Sequence, residues 1–337
     1  MQLNLKQITE ITLGVERITE EQNGFNFYRF TEKEEKLYKQ RSEGSYVRTF
    51  ATSGVQFAFK TNSKSLFIKG ETFAAGSRSY YSIDVFKNGK KIDNIDNFSN
   101  FDLLGDYTTT AFPIGKFEKL FPLGEGEKEV KIYLPFTTKT VINELSLDDG
   151  ATLIPIKPEY KLLAYGDSIT HGYDALNPSE KYITKLAEYL NAEEINKAIG
   201  GEIFWPDLVK EKLDLKPDLI TVAYGTNDWA RMLPPEEFYS NCKGFLENLK
   251  NNYKNTPIFV ITPIWRKDFD LSDRPLGEFK RVEEIVREIS AKIGGITVIS
   301  GFDLVDHNKN LFGDLHLHPN NEGFKQYFER LVKYFNK

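Results

Sequence analysis

The chain has 337 residues, of which 40% are hydrophobic and 28% charged, with a formal net charge of −5. That length suits two domains better than one, and the composition is that of a soluble globular protein. Its charge is spread without a basic stripe, which argues against nucleic acid as a partner. No apolar run is long enough to span a bilayer, and the lone cysteine, Cys242, rules out an intramolecular disulfide.

The first residues, Met1–Glu21, contain no basic segment followed by a long apolar one. The expectation is therefore a cytoplasmic protein, or an exported one whose signal has been trimmed. From there to about residue 157 the hydrophobic period is two. Val55, Phe57 and Phe59 alternate with Gln56, Ala58 and Lys60, and Ser65–Lys69 follows in the same manner. Tyr81–Lys87 runs into Asn88-Gly89, a two-residue hairpin turn, before Lys90-Lys91-Ile92; Val130–Leu134 is a further strand. Short strands with little helical pattern between them predict a β-sandwich or jelly-roll domain over residues 1–157.

Past the Pro155–Pro158 stretch, strand and helix alternate. Lys161–Tyr165 reads as a buried strand, and Asn177-Pro178 caps a helix whose apolar face is Tyr182, Ile183, Leu186, Ala187 and Leu190. Leu219–Tyr224 and Ile258–Ile264 are unbroken apolar runs, as parallel strands covered on both faces require. Helices are expected over Pro235–Asn252, Leu276–Ile293 and Glu322–Phe335, with a strand over Ile296–Ser300. Cys242 falls on the apolar face of the first of these helices and reads as a buried structural thiol. The pattern predicts a doubly wound, flavodoxin-like α/β domain over residues 158–337, in which sites form at the C-terminal ends of the strands.

Polar motifs stand at those ends. Gly166-Asp167-Ser168 follows the first strand, where a serine hydroxyl can attack a carbonyl if a base takes its proton. Alone, the triplet reads equally as a polar turn or helix cap. It is followed by Ala198-Ile199-Gly200-Gly201-Glu202, by Tyr224-Gly225-Thr226-Asn227-Asp228, and by Asp314-Leu315-His316-Leu317-His318-Pro319-Asn320 before the last helix. Four blocks in this order resemble the SGNH (GDSL-like) hydrolase family, over roughly residues 160–337. The resemblance implies a serine esterase with Ser168 as nucleophile and His318 as base. It further implies an oxyanion hole formed by the backbone N–H groups of Ser168 and Gly201 and the side-chain amide of Asn227. A tetrahedral intermediate carries a full negative charge, and each preorganised donor is worth about 3 kcal/mol of barrier.

The acid departs from the family pattern. Its usual place is three residues before the histidine, where this chain has Leu315; Asp314 is one residue further away, with Asp303 and Asp306 as rivals. A Ser–His dyad oriented by backbone carbonyls is the alternative to Asp314. Asp167 and Asp228 read as structural hydrogen-bonders, and His171 as a solvated loop residue. Trp205, Trp229 and Trp265 follow strand ends and are expected to bind substrate by stacking on a sugar ring, with core packing the competing reading.

A sandwich joined to an SGNH domain also resembles carbohydrate esterase family two, which implies an acetyl esterase acting on plant-derived oligosaccharides of xylan or mannan type. No cofactor and no metal are expected, nor a nucleic-acid or membrane partner; the oligomeric state is open. A general short-chain carboxylesterase, a non-catalytic carbohydrate-binding protein, and a zinc site built on His316 and His318 with Asp314 are the alternatives.

Overall fold

In this computed structural model all residues are described except 23, 104, 336 and 337. The chain forms two compact units. The first comprises Met1–Glu159 with the later segments Leu176–Glu180 and Glu193–Ile195, and the second comprises Tyr160–Ala175, Lys181–Ala192 and Asn196–Lys337.

The period-two segments of the first unit become antiparallel strands: β1 (Thr12–Leu13), β2 (Arg17–Glu21), β3 (Gly24–Tyr28), β4 (Gln56–Thr61), β5 (Ser65–Ala74) and β6 (Ser82–Lys87). They continue as β7 (Lys90–Asp96), β8 (Lys116–Pro122), β9 (Lys128–Tyr133), β10 (Thr138–Leu147) and β11 (Ile154–Pro155). One sheet has the order β1-β4-β9-β6-β7, with β11 pairing on β4; the other has β2-β3-β10-β5-β8. Phe57 and Phe59 from the first sheet and Leu66 and Ile68 from the second belong to one shared core, the arrangement of a sandwich. The β6–β7 hairpin turns at Asn88 (φ 49°) and Gly89 (φ 76°), both left-handed as the two-residue turn requires.

Three helices in this unit lack a signal in the hydrophobic pattern: α1 (Leu5–Ile11), α2 (Glu32–Arg41) and α3 (Glu43–Thr49). Their ends hold them instead. Asn4 with Gln7, and Thr31 with Glu34, form reciprocal capping boxes that satisfy the first free N–H groups.

The later strands are β12 (Tyr160–Gly166), β13 (Ala192–Asn196), β14 (Leu219–Ala223), β15 (Ile258–Ile261) and β16 (Ile296–Ile299), in the order β13-β12-β14-β15-β16. β12, β14, β15 and β16 pair in parallel. Leu162 to Tyr165 are all buried, which is why β12 does not alternate. β15 stops at Ile261, short of the expected Ile264, because Pro263 has no N–H to offer a neighbour. The helices are α4 (Ser168–His171), α5 (Tyr182–Tyr189), α6 (Thr226–Ala230), α7 (Pro235–Asn252), α8 (Lys280–Ile293) and α9 (Asn321–Leu331). α8 starts four residues after the expected Leu276, and a 3-10 turn over Val332–Phe335 follows α9. Cys242 lies on the buried face of α7 with Phe238, Phe245 and Leu249, and burial pushes its thiol pKa well up. Among the described residues, no helix is long and apolar enough to cross a membrane.

One consequence decides where chemistry can occur. β12 lies between β13 and β14, so the chain winds first to one side of it and then to the other. The C-terminal end of β12 is therefore the switch point of the sheet, where the flanking connections part and leave a crevice.

Candidate active site

Ser168 stands at that switch point as the first residue of α4. The turn into the helix demands glycine at 166, because a Cβ there would overlap the Thr170 side chain. Asp167 caps the helix, its carboxylate accepting the Ile169 N–H at 2.9 Å. Ser168 is 4% exposed, and its own N–H, like others at a helix start, has no acceptor among the described residues.

His318, which precedes α9, brings Nε2 to 2.7 Å from Ser168 Oγ. Its Nδ1 lies 2.6 Å from Asp314 Oδ2. The extra residue between Asp314 and His318 is accommodated at Leu315, which adopts a left-handed φ of 55°. Asp314 is anchored as well as near: Oδ1 accepts the N–H groups of His316 (2.9 Å), Leu317 (2.8 Å) and His318 (3.1 Å). Burial works to raise the Asp314 pKa. The bond and charge of His318, with the Leu317 and His318 amides, outweigh it and hold the carboxyl well below the usual carboxylate range. Asp303 and Asp306, the rival acids, are held elsewhere. Arg330 pairs with Asp306 at 2.6 Å and donates to the Asp303 carbonyl at 2.8 Å.

Sequence reasoning missed a second carboxylate. Asp174 is fully buried, has a left-handed φ of 70°, and places Oδ2 3.6 Å from His318 Nδ1. Nothing in the local pattern marks it, since a polar residue after Gly172 reads as part of a turn.

Gly200 packs so closely on the Tyr173 ring that a Cβ would come within 2.8 Å of it, and the Tyr173 ring centre is 5.7 Å from that of His318. Gly201 then takes a left-handed φ of 82°, and its N–H has no acceptor among the described residues. Asn227 lies on α6, which starts at the left-handed Gly225. One hydrogen of the Asn227 amide goes to the Glu202 carbonyl at 2.9 Å, and an amide carries two. Asp228 accepts the Phe204 N–H at 3.2 Å while its other oxygen has no partner. Burial raises the pKa of Asp167 and of Asp228 to about 7 in each case, against the backbone N–H bonds that lower it.

His316 is directed elsewhere: its Nε2 is 3.1 Å from Asp268 Oδ1 and 3.5 Å from Arg266 Nη2. The two imidazoles of the alternative zinc reading thus have different partners. Ligating atoms of Asp174, Asp314 and His318 do lie within 4.8 Å of one another, with the two ring nitrogens of His318 facing Asp314 and Ser168.

Three expectations need correction. Trp229 is fully buried, its Nε1 donating to the Gly277 carbonyl at 2.9 Å and its ring lying against Phe279, so it offers no face to a sugar. Trp265 is 7% exposed and packs with Phe312 and His307. His171 is fully buried beside Tyr173, not solvated. Trp205 is half-buried ahead of Pro206. A separate cavity of about 520 Å³, lined by Phe269, Phe279 and Phe302 among others, includes neither Ser168 nor His318.

Comparison with known proteins bears on the fold and on the C-terminal region. No curated protein matches the sequence. The whole chain is similar in structure to the salicylyl-acyltransferase SsfX3 of a tetracycline biosynthetic pathway (20% identity, 96% of this chain and 93% of that one, TM-score 0.80). It is also similar to the acetyl xylan esterase Est2A from the rumen bacterium Butyrivibrio proteoclasticus (16%, 99% and 97%, TM-score 0.62). A third neighbour is a family two carbohydrate esterase from Clostridium thermocellum in complex with cellohexaose (16%, 85% and 92%, TM-score 0.62). At these identities the likeness is one of fold. The model of the GDSL-like lipase/acylhydrolase family matches residues 164–326, the span that holds Ser168, Gly201, Asn227, Asp314 and His318. The C-terminal region of this chain is a GDSL-like lipase/acylhydrolase domain.

Proposed function

We propose that this chain is a serine esterase that removes acetyl groups from oligosaccharides, with residues 158–337 catalytic and the sandwich of 1–157 as an accessory domain. The observation that carries the reading is the continuous relay Ser168 Oγ–His318 Nε2–Asp314 Oδ2, at 2.7 and 2.6 Å. His318 takes the hydroxyl proton as Oγ attacks the ester carbonyl, and Asp314 holds the ring and stabilises the imidazolium that forms. The Ser168 and Gly201 N–H groups, both without an acceptor among the described residues, and the second hydrogen of the Asn227 amide receive the oxyanion. Buried or half-buried N–H groups in proteins are nearly always paired, so two unpaired ones beside a nucleophile favour a role in binding charge. His318 returns the proton to the leaving alcohol, and water repeats the sequence on the acyl-enzyme.

The acetyl and sugar parts of the proposal draw on the two carbohydrate esterases of like fold; Trp205 is the remaining candidate for stacking on a sugar. A series of p-nitrophenyl esters beside acetylated xylo-, manno- and cello-oligosaccharides tests them. We expect acetyl to turn over faster than octanoyl, and acetate release from at least one oligosaccharide; faster octanoyl turnover, or none of the sugars, refutes the specificity. An acyl-enzyme passes its acyl group to water or alcohol by the same chemistry, so running the assay with an added acceptor alcohol separates hydrolysis from acyl transfer.

A further inference from the structure

Arg231 follows α6, on which Asn227 sits, and is tied to both of the oxyanion donors that lie outside α4. Its N–H donates to the Asn227 carbonyl at 2.8 Å, and its guanidinium donates to the Gly201 carbonyl. The side chain is exposed and makes its hydrogen bond to the Gly201 carbonyl. A Cβ built on Gly201 would meet only one neighbour outside its immediate chain, Arg231 Nη2 at 3.3 Å. The face of Gly201 on which a side chain would stand is thus open, and the guanidinium is what borders it.

A guanidinium has five N–H donors, and among the described residues this one makes a single hydrogen bond. Among the described residues Arg231 forms no ion pair. The nearby cations differ: Arg266 pairs with Asp268 at 2.5 Å, and Arg274 approaches the same carboxylate at 3.7 Å. In a protein of net charge −5, an anion is repelled by the molecule as a whole. An arginine without an ion pair, bordering the open face of Gly201, reverses that locally, and its planar fork suits a carboxylate.

We infer that Arg231 recognises a carboxylate on the substrate, so that the enzyme favours acetyl esters of an acidic sugar. This rests on the esterase reading above: acetyl bears no charge, so the anion belongs to the alcohol half of the ester.

The test compares kcat/KM for 3-acetoxybenzoate and 3-acetoxybenzamide, which differ in the charge on the alcohol half, in the wild type, Arg231→Gln and Arg231→Lys. The carboxylate-to-amide ratio should fall about tenfold in Arg231→Gln and recover in part in Arg231→Lys, which keeps the charge without the fork. An unchanged ratio, or an equal fall on both esters, overturns the inference and leaves Arg231 as a brace for the Gly201 turn. An Arg231-dependent preference for mono-4-nitrophenyl succinate over 4-nitrophenyl butyrate, in place of the first, overturns the assignment to the alcohol half. Calorimetry with 3-hydroxybenzoate on Ser168→Ala and on Ser168→Ala/Arg231→Gln separates this inference from the esterase reading. Binding lost only in the double variant supports the anion site even if no ester is turned over, whereas equal affinity in both overturns it.

Discussion

Asp84 in the N-terminal sandwich and Asp228 in the C-terminal unit are both fully buried carboxylates, and they are treated in opposite ways. Asp84 is saturated: Lys91 reaches it at 2.8 Å, Ser82 Oγ at 2.8 Å, Asn177 Nδ2 at 2.9 Å and Ser179 Oγ at 2.7 Å. Asp228 has only backbone donors and, among the described residues, an oxygen with none, and burial raises its pKa to about 7. The unpaired N–H groups of Ser168 and Gly201 belong to this second region as well. A site whose polar groups are all satisfied inside, as at Asp84, is built to hold a shape. One that keeps donors and acceptors open around a nucleophile has capacity left for a ligand, and it pays in stability.

The comparison breaks most visibly in the relay. Ser168→Ala and His318→Ala should each lower kcat/KM on acetyl esters by about 10⁴-fold or more, while His316→Ala keeps a measurable fraction. A dead His316→Ala enzyme beside an active His318→Ala one would mean that the wrong imidazole has been taken as base.

On the sandwich side, Asp84→Ala should cost about 3 kcal/mol of unfolding free energy, because it strands Lys91 and four other donors. Chemical denaturation measures it. A loss below 1 kcal/mol would show that water replaces the carboxylate freely, and the contrast with Asp228 would weaken.

Asp314→Asn tests how the base is held. We expect a loss of about 10²-fold, smaller than for His318→Ala, because Asp174 remains 3.6 Å from Nδ1. Adding Asp174→Asn should then cost more than it does in the wild-type background. Equal losses for Asp314→Asn and His318→Ala would leave Asp174 with no part in orienting the ring.

The smallest effect concerns Asp228. Its folded pKa of about 7 lies above the ordinary value of 3.8, so the folded state retains a proton that the unfolded chain gives up near pH 4. Its contribution to stability is complete below that pH and is lost as the pH rises through about 7. Asp228→Asn can still accept the Phe204 N–H and has nothing to titrate. Its unfolding free energy should therefore fall less than that of wild type between pH 5 and 8, by about 1 kcal/mol or more. Parallel pH profiles for the two proteins would refute the assignment.

The blocks that hold the candidate site were legible as local patterns. Period two gave way to alternating strand and helix, and polar motifs fell where parallel strands end. Ser168 and His318 were readable because a nucleophile turn and the entry to the last helix are properties of a few adjacent residues. The short helices α1 to α3 escaped for the converse reason: reciprocal caps hold the starts of α1 and α2 and a Ser42 cap that of α3, and such caps leave no hydrophobic period. Asp314 was readable only as one of several acids. Its selection depended on Leu315 accepting a left-handed backbone, a conformation leucine does not announce.

By itself, then, the sequence determined where a strand-rich region gives way to alternating strand and helix, and it marked Ser168 and His318 as candidates, since hydrophobic period and turn chemistry act over neighbouring residues. Tertiary structure alone decided which groups meet. It brought Ser168 to a histidine 150 residues away, set Asp174 beside that histidine, buried Trp229 and Trp265, and fixed Arg231 on Gly201. Those outcomes depend on where the sheet's switch point places the ends of separate strands, and no local stretch of chain carries that information.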